Sequence, residues 1–113
     1  MDEYFYARDA RKHYKDLMEA QPDMFRGFIQ FNNEVFEKKS SLPRKVKELI
    51  AVAVAHTTQC PYCIEGHVKA AQKEGATDQE IAEAIFVAAA LRAGGAFAHS
   101  TLSMGLLKET EKK

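Results

Sequence analysis

Only two cysteines, Cys60 and Cys63, occur in the 113 residues. A bridge between them closes a loop too short to staple a fold, which excludes a disulfide-scaffolded secreted domain. Charge of one sign is also lacking. Sixteen Lys and Arg balance sixteen Asp and Glu, for a formal net charge of zero. A neutral chain does not suit a polyphosphate backbone, so no nucleic-acid partner is expected. No apolar run reaches the roughly 18 residues of a membrane span, so no membrane partner is expected. The start, Met1-Asp2-Glu3, is acidic and has no apolar secretory core. No signal peptide is therefore read, and the expected location is cytoplasmic. Low-complexity segments, glycine-serine linkers and internal repeats are absent, and no segment alternates like a half-buried strand.

What is present is a globular composition: 46% apolar and 28% charged residues in 12.7 kDa. That predicts a single domain, 1–113, large enough to bury a core. Eight of the eleven aromatics lie before residue 40. They are Tyr4, Phe5, Tyr6, Tyr14, Phe25, Phe28, Phe31 and Phe36. Beyond them the apolar residues are mainly Ala, Val, Leu and Ile. Residues 1–40 are read as aromatic N-terminal helices over a small-residue helical core.

The periodicity predicts an all-α bundle of about six helices. The first runs from about Glu3 to Glu19. Pro22 opens the second, with Phe25, Phe28, Ile29 and Phe36 at helical spacing. Ser40-Ser41-Leu42-Pro43 separates it from the third, Arg44 to about Thr57, whose stretch Leu49–Ala55 is apolar on every side and so central. The fourth starts at the cysteines and ends at Gly75. Thr77-Asp78-Gln79-Glu80 is a capping box that opens the fifth. Gly94-Gly95 predicts a break or a close packing point before a sixth helix to about Leu107, and residues 108–113 are read as a fraying tail. The segment from Ala82 to Leu107 is almost all small or apolar. It is either a core helix pair or a subunit interface.

The strongest signal is Cys60-Pro61-Tyr62-Cys63-Ile64-Glu65-Gly66-His67. Pro61 suits the first helical position, which makes Cys60 the cap residue with its sulfur against free N–H groups. Both the N–H groups and the helix dipole favour thiolate there. Cys63 is then inside the first turn, close enough to form or resolve a disulfide. His67 lies four residues after Cys63, on the same helix face, and can move protons to and from a thiol. Tyr62 is read as a pocket residue, and His56 as a second one because it lies close to the site in sequence. His13 is read as a surface residue, and His99 has no partner.

Glu48 begins the all-apolar stretch of the third helix. A carboxylate there is costly unless paired, although a first-turn position favouring the helix dipole is the plainer reading. If the third and fourth helices run antiparallel, Glu48 and His67 come level, at about 1.5 Å of rise per residue. The expected contact is Glu48–His67 rather than Glu48–Cys60. It implies a relay in which Glu48 tunes His67 and His67 serves the thiols.

With Glu48, Cys60, Cys63 and His67 in place, the chain resembles the alkylhydroperoxidase D-like branch of the carboxymuconolactone decarboxylase family. The family's redox pattern is a Glu, eleven residues, Cys-x-x-Cys, three residues, then His, and all four match at that spacing. The similarity runs from about Leu42-Pro43-Arg44 to Glu83-Ala84, within a family core of 41–107. Pro61 stands between the cysteines, where members vary. The resemblance implies a catalytic set of Glu48, Cys60, Cys63 and His67, with Cys60–Cys63 as redox-active disulfide. It implies peroxide reduction for antioxidant defence, no bound cofactor and no metal. An external reductant is expected: a dithiol, or a thioredoxin-like or lipoyl partner. A peroxiredoxin is a further partner if the same exchange runs on a protein disulfide. Short members assemble as trimers or hexamers, which implies a homo-oligomer. The family's decarboxylases generally lack the cysteine pair, which argues against that activity here.

Three rival readings fit the same residues less well. Cys-Pro-Tyr-Cys is also the glutaredoxin tetrapeptide, but no strand precedes it here and no proline follows Pro61. Cys60, Cys63 and His67, with His56 or Glu48, are zinc-type ligands, but a second short-spaced ligand pair is missing. A non-enzymatic thiol sensor needs no Glu–His relay.

Overall fold

Alanine-rich, proline-poor stretches with a 3.6-residue apolar period fold here into helices alone among the residues described, 6–111, in a computed structural model. A 3-10 segment, Arg8–His13, precedes five α-helices: α1 (Tyr14–Ala20), α2 (Pro22–Phe36), α3 (Arg44–Thr58), α4 (Pro61–Lys73) and α5 (Asp78–Glu111). The all-α expectation stands.

The expected break before a separate sixth helix is corrected. Gly94-Gly95 does not break the chain, and α5 is one helix of 34 residues. Each glycine costs about 1 kcal/mol in a helix, but strong helix formers flank the pair and no proline interrupts the ladder. Nor is the pair a close packing point, because a Cβ built on either glycine meets nothing within 4 Å. The helix also continues through Glu111 rather than fraying from Lys108, and Lys112 and Lys113 lie outside the described residues. The first helix is likewise shorter than expected. Glu3, Tyr4 and Phe5 lie outside the described residues, and the chain turns α-helical only at Tyr14, after the 3-10 segment. By length and composition α5 is long and apolar enough to cross a membrane. This corrects the expectation that no segment would be, and the soluble core helix of a bundle passes the same test.

The core is where α3, α4 and the first half of α5 meet. Val52 and Ala71 are fully buried there with Ile81, flanked by Leu49, Val68 and Ile85. Local signals set the joints of this hairpin. Pro61 occupies the first turn of α4. Gly75 adopts φ 88°, and Ala76 N–H donates to Ala71 O (2.9 Å) while Gly75 N–H donates to Gln72 O (3.0 Å). These two bonds satisfy the last carbonyls of α4. At the start of α5, Thr77 N–H donates to Glu80 Oε1 (2.9 Å) and Glu80 N–H to Thr77 Oγ1 (3.1 Å), the expected capping box. Arg92 Nη1 donates to Thr57 O (3.0 Å), placing a cation at the C-terminus of α3.

The α3–α4 turn rests on Gln59, a non-glycine residue at φ 58°, ψ 44°. An L side chain in the left-handed region costs roughly 1 kcal/mol that glycine avoids, partly offset by glycine's looser unfolded chain. Gln59→Gly is expected to stabilise the protein by about 0.5–1 kcal/mol. The readout is a higher urea midpoint at unchanged m-value. A lower midpoint would mean that the Gln59 side chain contributes more than its backbone costs.

Candidate redox site

Cys60 caps α4. Its backbone is extended, and its Sγ accepts from Cys63 N–H at 3.2 Å. The positive end of the helix therefore points at this sulfur. Cys63 sits in the first turn, and the two are joined as a disulfide with Cα atoms 5.3 Å apart. That spacing is ordinary for a bridge, so the thiol and disulfide forms require little backbone movement.

His67 lies one turn beyond Cys63. Its Nδ1 is 3.1 Å from Glu48 Oε1 and 3.3 Å from Oε2. Glu48 is fully buried on α3, at the fifth position rather than in the first turn. The dipole reading of Glu48 is thus replaced by a pairing across the hairpin. Arg44 Nε lies 3.8 Å from Glu48 Oε1, beyond hydrogen-bond reach, and is itself buried without a hydrogen-bond partner. The guanidinium balances the carboxylate electrostatically. An ionised carboxylate can only accept, so Nδ1 of His67 is the donor in this pair and Nε2 is the ring nitrogen left outside it.

Two cavities meet at these groups. One, of about 400 Å³, is apolar and lined by Leu42, Ile50 and Val54 together with Phe36, Cys63 and His67. The other, of about 340 Å³, carries Arg11, Asn32, Arg44, Glu48 and Tyr62 beside Phe36, Cys63 and His67. Cys60 lines neither. Tyr62 is thus a lining residue of the polar cleft. His56 does not join the lining, against the expectation drawn from its nearness in sequence. It lines neither cavity, and its Nδ1 is 2.8 Å from Val52 O, one turn back on its own helix. Phe36, Arg11 and Arg44 reach the site without having been singled out from sequence. Only the chemistry of an aromatic or a cation could have suggested them.

The N-terminal segment is strapped over the first turn of α4. Tyr62 OH donates to Ala7 O (3.0 Å), and Arg11 donates to Tyr62 O while its guanidinium lies 5.5 Å over the Tyr62 ring. Glu65 accepts from Tyr6 OH (2.6 Å), from Arg8 Nη2 (2.5 Å) and from Lys69 Nζ (3.1 Å). The Arg8 guanidinium first, then Tyr6 and Lys69, hold its carboxyl well below the usual carboxylate range. A depressed folded-state value contributes stability above the unfolded value of about 4.3, and that stability is lost as pH falls through the lower folded one. The strap should therefore stay docked from neutral pH to about pH 4 and loosen below it. Glu65→Gln should loosen it at neutral pH, raising amide exchange of residues 6–13 roughly tenfold. Unchanged exchange in that variant would remove Glu65 as the anchor.

Residues 22–103 match the model of the carboxymuconolactone decarboxylase family. A relative from Paracoccus denitrificans, "Uncharacterized protein 4 in cox locus", is 52% identical over 84 residues, covering 74% of this chain and 75% of that one. An uncharacterized protein of Cupriavidus necator is 33% identical over 79 residues, 70% of this chain and 69% of its own. The crystal structure of a protein from Methanobacterium thermoautotrophicum superposes with a TM-score of 0.70 at 32% identity, over 76% of this chain and 96% of that one.

Proposed function

The chain belongs to the carboxymuconolactone decarboxylase family, and from that premise we propose that it is a thiol-dependent peroxidase in which Cys63 meets the peroxide, Cys60 resolves, and Glu48 and His67 relay the proton. The observation that carries the reading is that Cys63 and His67 share the wall of an apolar cavity while His67 pairs with buried Glu48 behind it. The cysteine pair is what the decarboxylase chemistry does not need.

The roles follow from placement. Nε2 of His67 takes the Cys63 thiol proton, and buried Glu48 stabilises the imidazolium. The thiolate attacks one peroxide oxygen and the O–O bond breaks. The alcohol leaves with the proton that His67 returns, and Cys63 becomes a sulfenic acid. Cys60, whose sulfur faces the α4 N-terminus and accepts from Cys63 N–H, attacks that sulfur as thiolate. The S–O bond breaks, hydroxide takes a proton as water, and the disulfide forms. An external dithiol then attacks Cys63, the sulfur at the cavities, and Cys60 departs as thiolate; the dithiol's second thiol displaces Cys63 from the mixed disulfide, so the dithiol leaves as its own disulfide and both cysteines are reduced. Two electrons pass from dithiol to peroxide per cycle. This cycle needs a reducing compartment, which supports a cytoplasmic setting.

A homo-oligomer is part of this reading. The chain exposes 9129 Å², against about 6,200 Å² for a folded monomer of this mass. Its radius of gyration is 19.3 Å, against about 13 Å for a compact chain of this length. Phe86, Leu91, Phe97 and Leu106 on α5 are all more than half exposed. An apolar excess of that size fits subunits that bury it together.

The deciding experiment is mass spectrometry of the reduced protein, before and after one equivalent of cumene hydroperoxide. Loss of both thiol hydrogens, restored by dithiothreitol, is expected. Native spectra are expected at a multiple of 12.7 kDa. Thiols left intact by peroxide would overturn the enzyme, and a native monomer would overturn the assembly.

A further inference from the structure

Among the described residues, three side chains line both cavities: Cys63, His67 and Phe36. The first two are the reacting group and its base. Phe36 has no chemistry of its own, yet it lines both the apolar cavity and the polar cleft, as the sulfur and its base do. Its ring stacks on the His67 imidazole with centroids 5.1 Å apart and planes inclined by 30°. The Arg44 guanidinium lies 5.8 Å from the same ring.

Phe36 is also held in place, although the rest of α2 is largely exposed. It is the last residue of that helix. Lys47 Nζ, from α3, donates to Val35 O (2.6 Å), Lys38 O (3.3 Å) and Ser40 Oγ (2.7 Å). One buttoned cation thus ties the end of α2 to the helix that carries Glu48. A ring clamped in this way, between a guanidinium and an imidazole, is a fixed wall rather than a loose cover.

We propose that Phe36 is a septum that gives Cys63 two separate entrances. The alkyl part of a hydroperoxide reaches the sulfur along the apolar cavity. The dithiol that restores the thiols reaches it through the polar cleft. The inference rests on the peroxidase reading above and adds a specificity-determining residue to it. Separate entrances keep the apolar side dry while the oxidant is bound, and they let the reductant approach without displacing an apolar ligand.

The test follows the two half-reactions separately by stopped flow, on the assembled full-length protein. Oxidation of the reduced form is measured with cumene hydroperoxide and with hydrogen peroxide. Reduction of the disulfide form is measured with dithiothreitol. Each is repeated with 1-octanol as an apolar blocker. In the wild type, octanol is expected to slow oxidation by cumene hydroperoxide and leave reduction by dithiothreitol unchanged. In Phe36→Ala the cavities merge. Octanol should then slow both half-reactions, and the preference for cumene hydroperoxide over hydrogen peroxide should fall roughly tenfold. Phe36→Leu, which keeps apolar volume, is expected to fall between the two and carries the test if the alanine variant does not fold. A merely structural role would scale both peroxides by one factor and leave the octanol pattern alone; that result overturns the septum. Octanol slowing both half-reactions of the wild type overturns it too. If neither peroxide oxidises the wild-type thiols, the peroxidase reading itself falls.

Discussion

Cys63→Ser is expected to lose peroxide turnover by roughly 10³-fold or more, while Cys60→Ser keeps the first step and loses only the cycle. The asymmetry comes from placement. Cys63 lines both cavities beside His67, whereas Cys60 faces the N-terminus of α4 and lines neither. Without Cys60, Cys63 should still consume one equivalent of cumene hydroperoxide and stop at a sulfenic acid. Dimedone, which tags sulfenic acids, should therefore label Cys60→Ser after peroxide and leave Cys63→Ser unlabelled. Both variants should unfold at nearly the wild-type midpoint once the wild type is reduced, because neither form then carries the bridge. Labelling of Cys63→Ser, with none of Cys60→Ser, would reverse the two roles. Full turnover in both variants would end the mechanism.

Glu48→Gln is expected to slow the oxidation half-reaction roughly 10²-fold with the fold intact. The amide has the size of the carboxylate, and its oxygen can still accept from His67 Nδ1. What disappears, in the proposed relay, is the negative charge that would stabilise the imidazolium once Nε2 takes the thiol proton. The charge is fully buried, so water cannot replace it. Arg44, about one third exposed at its side chain, can turn toward solvent when its counter-charge is removed. Glu48→Ala is a harsher change. It leaves a cavity and an unpaired Nδ1–H, and should also cost about 3 kcal/mol of stability. A Glu48→Gln protein whose oxidation rate and rate-versus-pH profile match the wild type would remove Glu48 from the relay and leave it a packing residue.

The sequence by itself determined the helices around the site, because their signals are local. Pro61 after Cys60, the Thr77–Glu80 box and Gly75 each act within one turn of chain, and each joint forms where its residues stand. The Glu48–His67 contact was also legible. Two helices joined by a tight turn must run back along each other, and equal rise brings residues at equal distance from the turn together. Gly94-Gly95 misled because helix-breaking is a matter of about 1 kcal/mol per glycine, which the surrounding alanines outweigh. That His56 lines neither cavity was hidden for the opposite reason: nearness in sequence says nothing about which face of α3 a residue occupies. Only the tertiary structure decided that Phe36 stacks on His67, that Arg11 crosses from the N-terminal strap, and that Cys63 rather than Cys60 lines the cavities. Phe36 belongs to a helix joined to the core through an irregular segment, residues 37–43, and Arg11 to a 3-10 segment. No repeat distance in the sequence reports where such segments bring their side chains. Their positions follow from what they pack against: the Lys47 tether for one, the Tyr62 ring and carbonyl for the other.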